Sequence, residues 1–315
     1  MRQSSKVAVL GAGVIGSSWA ALLSAAGHAV AIYDPDKAAE PTARRYVENA
    51  WPTLRQLGLL GQSRPGELRF CADPAEAVRG ASFVQESVPE RIELKHDLYG
   101  RIESALDPEA IVASSASGLQ MRELQAGWRN PSRLVLGHPF NPPHLIPLVE
   151  VMGNERTGPG VVEAAEAFYQ SLGKVTIRVR KEVPGHVANR LQAALWREAI
   201  HLVNSGVATV EDMDTAVWAG PGLRWAAMGP AMLFHLGAGA GGLAEFCLRY
   251  APSFARWWDD LGEVTLDRDT AARLVAGVEA EAKGRTLAEL SEARDELIVA
   301  FLRSRQANSN PAAGT

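Results

Sequence analysis

Three glycines and an acid near the start of the chain have the types and spacing to hold a dinucleotide. The run Val7 to Leu10 leads into Gly11-Ala-Gly13-Val-Ile-Gly16, a small-residue helical stretch follows, and a second apolar run, Ala29 to Tyr33, ends in Asp34. Strand, glycine turn, helix, strand and acid in that order give the spacing its meaning. Gly11 permits the tight turn, Gly13 lets the backbone approach a pyrophosphate, and Gly16 lets helix and strand pack closely. The helix N-terminus offers N–H groups and a positive dipole end to the phosphates. Val14 and Ile15, between the glycines, join Gly11, Gly13 and Gly16 in the expected cofactor set. Asp34 lies 18 residues after Gly16. It can accept hydrogen bonds from a ribose diol and would repel a 2′-phosphate, so the expected cofactor is NAD rather than NADP.

Other polar side chains stand where apolar runs end or are interrupted. Val112-Ala-Ser-Ser-Ala-Ser117-Gly-Leu closes a strand candidate with hydroxyls, and Leu136-Gly-His138-Pro-Phe-Asn-Pro-Pro143 follows another. Leu148-Val-Glu150-Val-Met puts an acid among apolar residues, and Val183-Pro-Gly-His-Val-Ala-Asn189-Arg-Leu precedes a helical stretch. Ser117 and His138 fall at carboxyl ends of strands, where open α/β sheets hold ligands. Ser114 or Ser115 could do the work of Ser117.

The elements that must position these residues are legible as a coarse series. Residues 36–58 read as a helix. Strand candidates follow at 68–71, 82–87, 111–114, 134–137, 148–152 and 175–179, with helical stretches at 90–106 and 160–172. Strands alternating with helices imply a mostly parallel sheet with covered faces. Beyond Pro184-Gly185 the strand signal stops, and 188–203, 210–218 and 271–302 read as helical. The expected fold is therefore α/β: a Rossmann-type NAD-binding domain over residues 1–184, then an all-α domain over 185–305 for substrate and dimerisation. The polar, small-residue end, 306–315, is expected to be a disordered tail.

Bulk properties exclude more than they identify. With 315 residues the chain accommodates two ordinary domains. Its net charge of −4 and the absence of a basic stripe argue against nucleic acid. No apolar run reaches membrane-spanning length, and the N-terminus lacks signal-peptide architecture. Cys71 and Cys247 have no metal spacing, so no metal is expected and a reducing cytoplasm fits.

The motifs GAGVIG, GHPFNPPHLIPLVEV, PGHVANRLQ and GLRWAAMGP resemble the 3-hydroxyacyl-CoA dehydrogenase superfamily over nearly the whole chain. The resemblance is strongest to its short branch of L-gulonate 3-dehydrogenase (λ-crystallin), carnitine 3-dehydrogenase and some polyketide ketoreductases. It implies that His138 is the catalytic histidine and Glu150 its orienting acid. Ser117 and Asn189 would hold the reacting oxygen. Glu90 and Lys95, in PERIELK, would lie near the cofactor ribose and substrate. The residue types suit that chemistry. A histidine can take or return a proton near neutrality. A carboxylate can fix its tautomer, and a hydroxyl and an amide can polarise a carbonyl.

The implied reaction interconverts an L-3-hydroxy acid and its 3-keto acid, with NAD as hydride acceptor. Arg224, in GLRWAAMGP, suits a small carboxylate bidentately, which favours a gulonate-like free acid over a CoA thioester. Asn189 counts against carnitine, whose branch usually carries Asp there. The alternatives are a 3-hydroxybutyryl-CoA dehydrogenase, a carnitine 3-dehydrogenase, a polyketide ketoreductase, and an NAD-binding structural protein without turnover. His144 and His186 lie near the motifs with structural roles favoured. A homodimer through the helical domain is expected, because the apolar faces of its helices need cover.

Overall fold

The computed structural model describes residues 5–60 and 65–309. The chain begins with β1 (Lys6–Leu10), α1 (Val14–Ala25), β2 (Ala29–Tyr33), α2 (Ala39–Gln56) and β3 (Leu68–Cys71). It continues with α3 (Pro74–Val78), β4 (Phe83–Glu86), α4 (Ile92–Ile102), β5 (Ile111–Ser114), α5 (Met121–Gln125), β6 (Leu134–Pro139), β7 (Leu148–Met152), α6 (Val161–Ser171) and β8 (Val175–Arg178). The eight strands form one sheet in the order β3-β2-β1-β4-β5-β6-β7-β8. Neighbours are parallel except β6 and β7, which pair antiparallel. This is the mostly parallel, Rossmann-type sheet that the alternation of elements implies.

The strands are near-continuous apolar runs because both faces of the sheet are covered. Val7 and Val9 of β1 pack on one face with Trp19, Leu22 and Leu23 of α1. Ala8 and Leu10 pack on the other with Tyr99 and Ile102 of α4. The small residues of α1 let it lie close against its surroundings. A Cβ on Gly16 would stand 1.8 Å from the carbonyl oxygen of Gly11, and Gly11 itself has φ +94°. Neither glycine tolerates a side chain there.

The second part of the chain is helical: α7 (Ala188–Asn204), α8 (Val210–Ala219), α9 (Pro221–Ala227), α10 (Pro230–Gly237), α11 (Gly242–Asp260), α12 (Arg268–Ala282) and α13 (Leu287–Ser309). Its buried apolar residues include Ala199, Ile200 and Val203 of α7, Val210 and Met213 of α8, and Leu274 of α12. The helical pattern over 271–302 is two helices, not one. Lys283 and Gly284 both take positive φ and end α12. Helix α13 runs through Ser309, so residues 306–309 are helical rather than part of a disordered tail; residues 310–315 lie outside the described residues.

The two compact units divide after Ala188, four residues beyond the boundary expected at 184. The turn at 184–187 belongs with the sheet because it is tied there. The N–H groups of Val187 and Ala188 both donate to Glu150 Oε1, each at 2.9 Å. Both cysteines are free thiols. Among the described residues no helix is long and apolar enough to cross a membrane.

Candidate active site

The glycine turn between β1 and α1 fits a dinucleotide. A Cβ on Gly13 would meet nothing within 4 Å, so the backbone there is open to a ligand. Helix α1 starts with no side-chain cap, which leaves its first N–H groups for phosphates, and Val14 is exposed beside them. Ile15 is partly buried against the apolar core behind. Asp34, just past β2, accepts the N–H of Ala12 at 2.7 Å through Oδ2 and that of Asp36 at 2.9 Å through Oδ1. The carboxylate is thereby fixed beside the turn. A cavity of about 350 Å³ opens next to it, lined by Tyr33, Asp34, Lys37 and Phe70 among others.

Antiparallel pairing sets the next pair. The register of β6 and β7 puts His138 directly opposite Glu150, so both side chains leave the same face of the sheet. His138 Nδ1 lies 2.7 Å from Glu150 Oε2. Glu150 is fully buried. Burial alone would raise its pKa. Hydrogen bonds from His138 and from the backbone of Ala188 and Val187 overturn that and hold it below the usual carboxylate range. An ionised acid at that distance accepts the Nδ1 proton, which leaves His138 Nε2 as the nitrogen able to accept another.

Ser117, in the loop after β5, is held by Glu90. Glu90 accepts the Ser117 hydroxyl at 2.7 Å and the backbone N–H groups of Ser117, Gly118 and Leu119. Partial burial opposes its ionisation, but these donors, the Ser117 hydroxyl foremost, bring its pKa down to about 2. With its hydrogen on Glu90, Ser117 offers lone pairs and no donor. It suits a substrate hydroxyl as it stands, and must leave Glu90 before it can polarise a carbonyl. Ser115 faces elsewhere, bonding Ser87 and Gln85. Ser114 is buried and donates to Glu86 at 2.6 Å.

Lys95, expected near the ribose and substrate, makes its own contacts with a buried acid. It is buried in α4, with Nζ 2.6 Å from Glu86 Oε1 and 3.2 Å from the carbonyl of Val88. Glu86 also accepts from Tyr99, Ser114 and the N–H of Val88, so four donors converge on one buried carboxylate. A buried charge needs such a set. The short strand run SFVQES gives no sign of it.

Asn189 is half-buried in the first turn of α7. Arg224 is exposed in α9, and among the described residues no carboxylate stands within ion-pair distance of it. Two histidines beside the motifs are buried. His144 meets Ser18 through both its ring and its N–H, at 2.8 Å. The ring of His186 lies 5.2 Å from that of His138, centre to centre. Lys174, which no motif marks, donates to the carbonyls of Pro143 and Ile146 in the loop joining β6 to β7; burial brings its pKa down to about 7.

A family model described as the NAD binding domain of 3-hydroxyacyl-CoA dehydrogenase matches residues 6–183, and one described as its C-terminal domain matches residues 185–274. The chain belongs to the 3-hydroxyacyl-CoA dehydrogenase family. It is 48% identical to an L-carnitine dehydrogenase of Streptomyces coelicolor over 95% of this chain and 94% of that one. Among solved structures, a 5-formyl-3-hydroxy-2-methylpyridine 4-carboxylic acid 5-dehydrogenase, described as an NAD+ dependent dismutase, superposes with a TM-score of 0.80 at 32% identity, covering 96% of this chain and 98% of its own. A (S)-3-hydroxybutyryl-CoA dehydrogenase of Ralstonia eutropha superposes with a TM-score of 0.61 at 25% identity, covering 80% and 89%. This dehydrogenase is thus an NAD-dependent oxidoreductase of the 3-hydroxyacid type.

Proposed function

We propose that this dehydrogenase oxidises the 3-hydroxyl of a small, free 3-hydroxy acid, with L-carnitine as the substrate. The reaction type is carried by one observation, the buried 2.7 Å pair of His138 and Glu150. His138 Nε2 takes the hydroxyl proton, and Glu150 holds the ring in the tautomer that can take it and stabilises the imidazolium. NAD, when bound, would supply the hydride acceptor. Asn189 supplies an amide donor to the reacting oxygen, and Ser117 orients the hydroxyl. Gly11, Gly13, Val14, Ile15 and Gly16 would hold the pyrophosphate of NAD, and Asp34 its adenosine ribose. Glu90 acts through Ser117, and Lys95 through Glu86.

The substrate class is supported by the carnitine relative and by Arg224. The sequence alone favours a gulonate-like acid and counts Asn189 against carnitine. Identity of 48% over nearly both chains reverses that order. The exposed guanidinium of Arg224, with no carboxylate at ion-pair distance among the described residues, suits the acid group. Trp196, Trp218 and Trp225 keep exposed indole surface of the kind that attracts a quaternary ammonium. The better superposition on a dehydrogenase of a free carboxylic acid than on an acyl-CoA enzyme points the same way.

The protein works as a cytoplasmic homodimer in this reading. Trp218, Leu248, Trp257 and Trp258 of the helical unit are each more than half exposed, and a second copy would cover such a surface. The deciding experiment measures NAD reduction with L-carnitine, gulonate, 3-hydroxybutyrate and 3-hydroxybutyryl-CoA. Carnitine is expected to give the highest kcat/KM. A preference for the thioester would return the enzyme to acyl-CoA chemistry.

A further inference from the structure

His186 is the side chain near the catalytic pair that has no assigned work. It is 3% exposed and occupies a left-handed turn, with φ +51°, directly after Gly185 at φ +74°. Its Nε2 lies 3.3 Å from the carbonyl oxygen of Ala116, the residue before Ser117. A carbonyl only accepts, so this nitrogen carries the hydrogen. The other nitrogen, Nδ1, is buried and among the described residues meets no hydrogen-bond partner. The same turn sends the N–H groups of Val187 and Ala188 to Glu150 Oε1. One short segment therefore touches both halves of the site: through its backbone the His138–Glu150 pair, and through its ring the strand end that carries Ser117.

We propose that His186 is a positioning residue whose Nε2–H holds the Ala116 carbonyl and so fixes Ser117 relative to His138. The inference rests on the reading of His138 as the acid/base group. The ring must also remain neutral. His138 becomes an imidazolium when it takes the substrate proton, and a second cation 5.2 Å away in a desolvated pocket would oppose it. Burial is the main influence pushing the His186 pKa down. The charged and titratable groups that face it are His138 from β6, Glu150 from β7 and Glu90 from the segment after β4. The first opposes protonation of His186 and the two acids favour it, but burial prevails.

Two substitutions separate this role from a role in the turn alone. Gln places an amide nitrogen at the reach of Nε2, whereas Asn places one at the reach of Nδ1. Asn tolerates the left-handed conformation better than Gln. If His186 served only the turn, His186→Asn would be the milder change. The proposal requires the reverse order. With the full-length enzyme, NAD and the best 3-hydroxy acid, His186→Gln is expected to keep kcat within about 3-fold, and His186→Asn to lose about 10-fold or more, as removal of a buried donor does. KM for NAD should not move in either. Equal kcat values, or Asn above Gln, would overturn the proposal. A second measurement is independent of turnover and of variants. Nitrogen NMR of the wild-type imidazoles is expected to show His186 neutral at pH 7, protonated at Nε2 and bare at Nδ1. The opposite tautomer, or a cation, overturns the proposal. If wild type reduces NAD with none of the 3-hydroxy acids, the functional reading fails, and the tautomer still decides this one.

Discussion

The two units of this dehydrogenase solve opposite problems. In the sheet-bearing unit several charged groups are buried and partnered: Glu86 with four donors, Glu150 with three, Lys174 with two carbonyls. Both faces of its sheet are covered by its own helices. In the helical unit many large apolar side chains stay outside, with Leu248 83% and Trp258 66% exposed, and among the described residues Arg224 has no carboxylate beside it. The first arrangement keeps catalytic groups in place before anything binds, where electrostatic stabilisation needs no reorganisation. The second leaves surface and charge for other molecules. If Arg224 binds the substrate acid, pre-organisation and recognition are divided between the units.

The largest effect expected is in the pre-organised unit. His138→Gln should lower kcat by about 10²–10⁴-fold, the range that general acid–base catalysis supplies, with NADH affinity nearly unchanged by fluorescence titration. Retention of a tenth of wild-type kcat would remove His138 from the role of base. Glu150→Gln should be severe as well, because it takes the anion from beside the imidazolium.

In the helical unit, Arg224→Ala should raise KM for the acid by about 10- to 100-fold and leave NAD affinity alone, since a bidentate contact would be lost in ground and transition states alike. Arg224→Lys should recover part of it. A change confined to kcat would mean that the arginine does not bind the ground-state carboxylate, and the division between the units would blur.

A smaller effect is expected at Asp34. The wild type should prefer NAD over NADP in kcat/KM, and Asp34→Ala should narrow that preference by about tenfold, because one repulsive charge near the 2′-phosphate is removed. Equal use of both cofactors by wild type would show that the carboxylate, though fixed by two backbone N–H groups, does not discriminate.

Glu90 tests pre-organisation through pH. Its folded pKa, about 2, lies below its ordinary value of 4.5. Its contribution to stability is therefore full above the unfolded pKa and fades as pH falls through the window between the two values. In acid titrations followed by circular dichroism, wild type should lose stability relative to Glu90→Gln as pH falls from about 5 to 2. Parallel curves would mean that Ser117 is held without the charge.

The smallest effect on the folded monomer belongs to Leu248→Glu, an exposed position where a substitution is expected to change monomer stability by about 0.5 kcal/mol or less. If a second copy covers the helical unit, the same change should shift light scattering from dimer to monomer at micromolar concentration. A wild-type monomer at that concentration would remove the need for a covering copy.

Legibility followed the same division. The glycine turn, the alternation of strands and helices, and the chemical types at 117, 138 and 150 were all readable, because each is a local pattern in a short window. Helices α9 to α11 were not, since their apolar residues are exposed rather than set in one buried stripe. The break at Lys283 and Gly284 hid inside a run that otherwise reads as one helix. The pairing of Lys95 with Glu86 was not legible, because Glu86 sits on a strand whose sequence gives no hint that four donors converge on it. The identity of the acid was not legible either: Asn189 argues against carnitine, and the relative at 48% identity is an L-carnitine dehydrogenase.

By itself, then, the sequence determined the alternation of strands and helices in the first unit, the glycine turn and the chemical types at His138 and Glu150. Side-chain periodicity and glycine stereochemistry act over a few residues and need no distant partner. Only the tertiary structure decided what those groups meet. The antiparallel turn from β6 to β7 set His138 against Glu150. The loop after β4 brought Glu90 to Ser117, and the turn at 185–188 brought backbone N–H groups to Glu150 and an imidazole to Ala116. These partners are separated by 12 to 70 residues. Over such separations the chain's path, not its local composition, chooses which donor reaches which acceptor, and burial makes that choice costly to leave unmet.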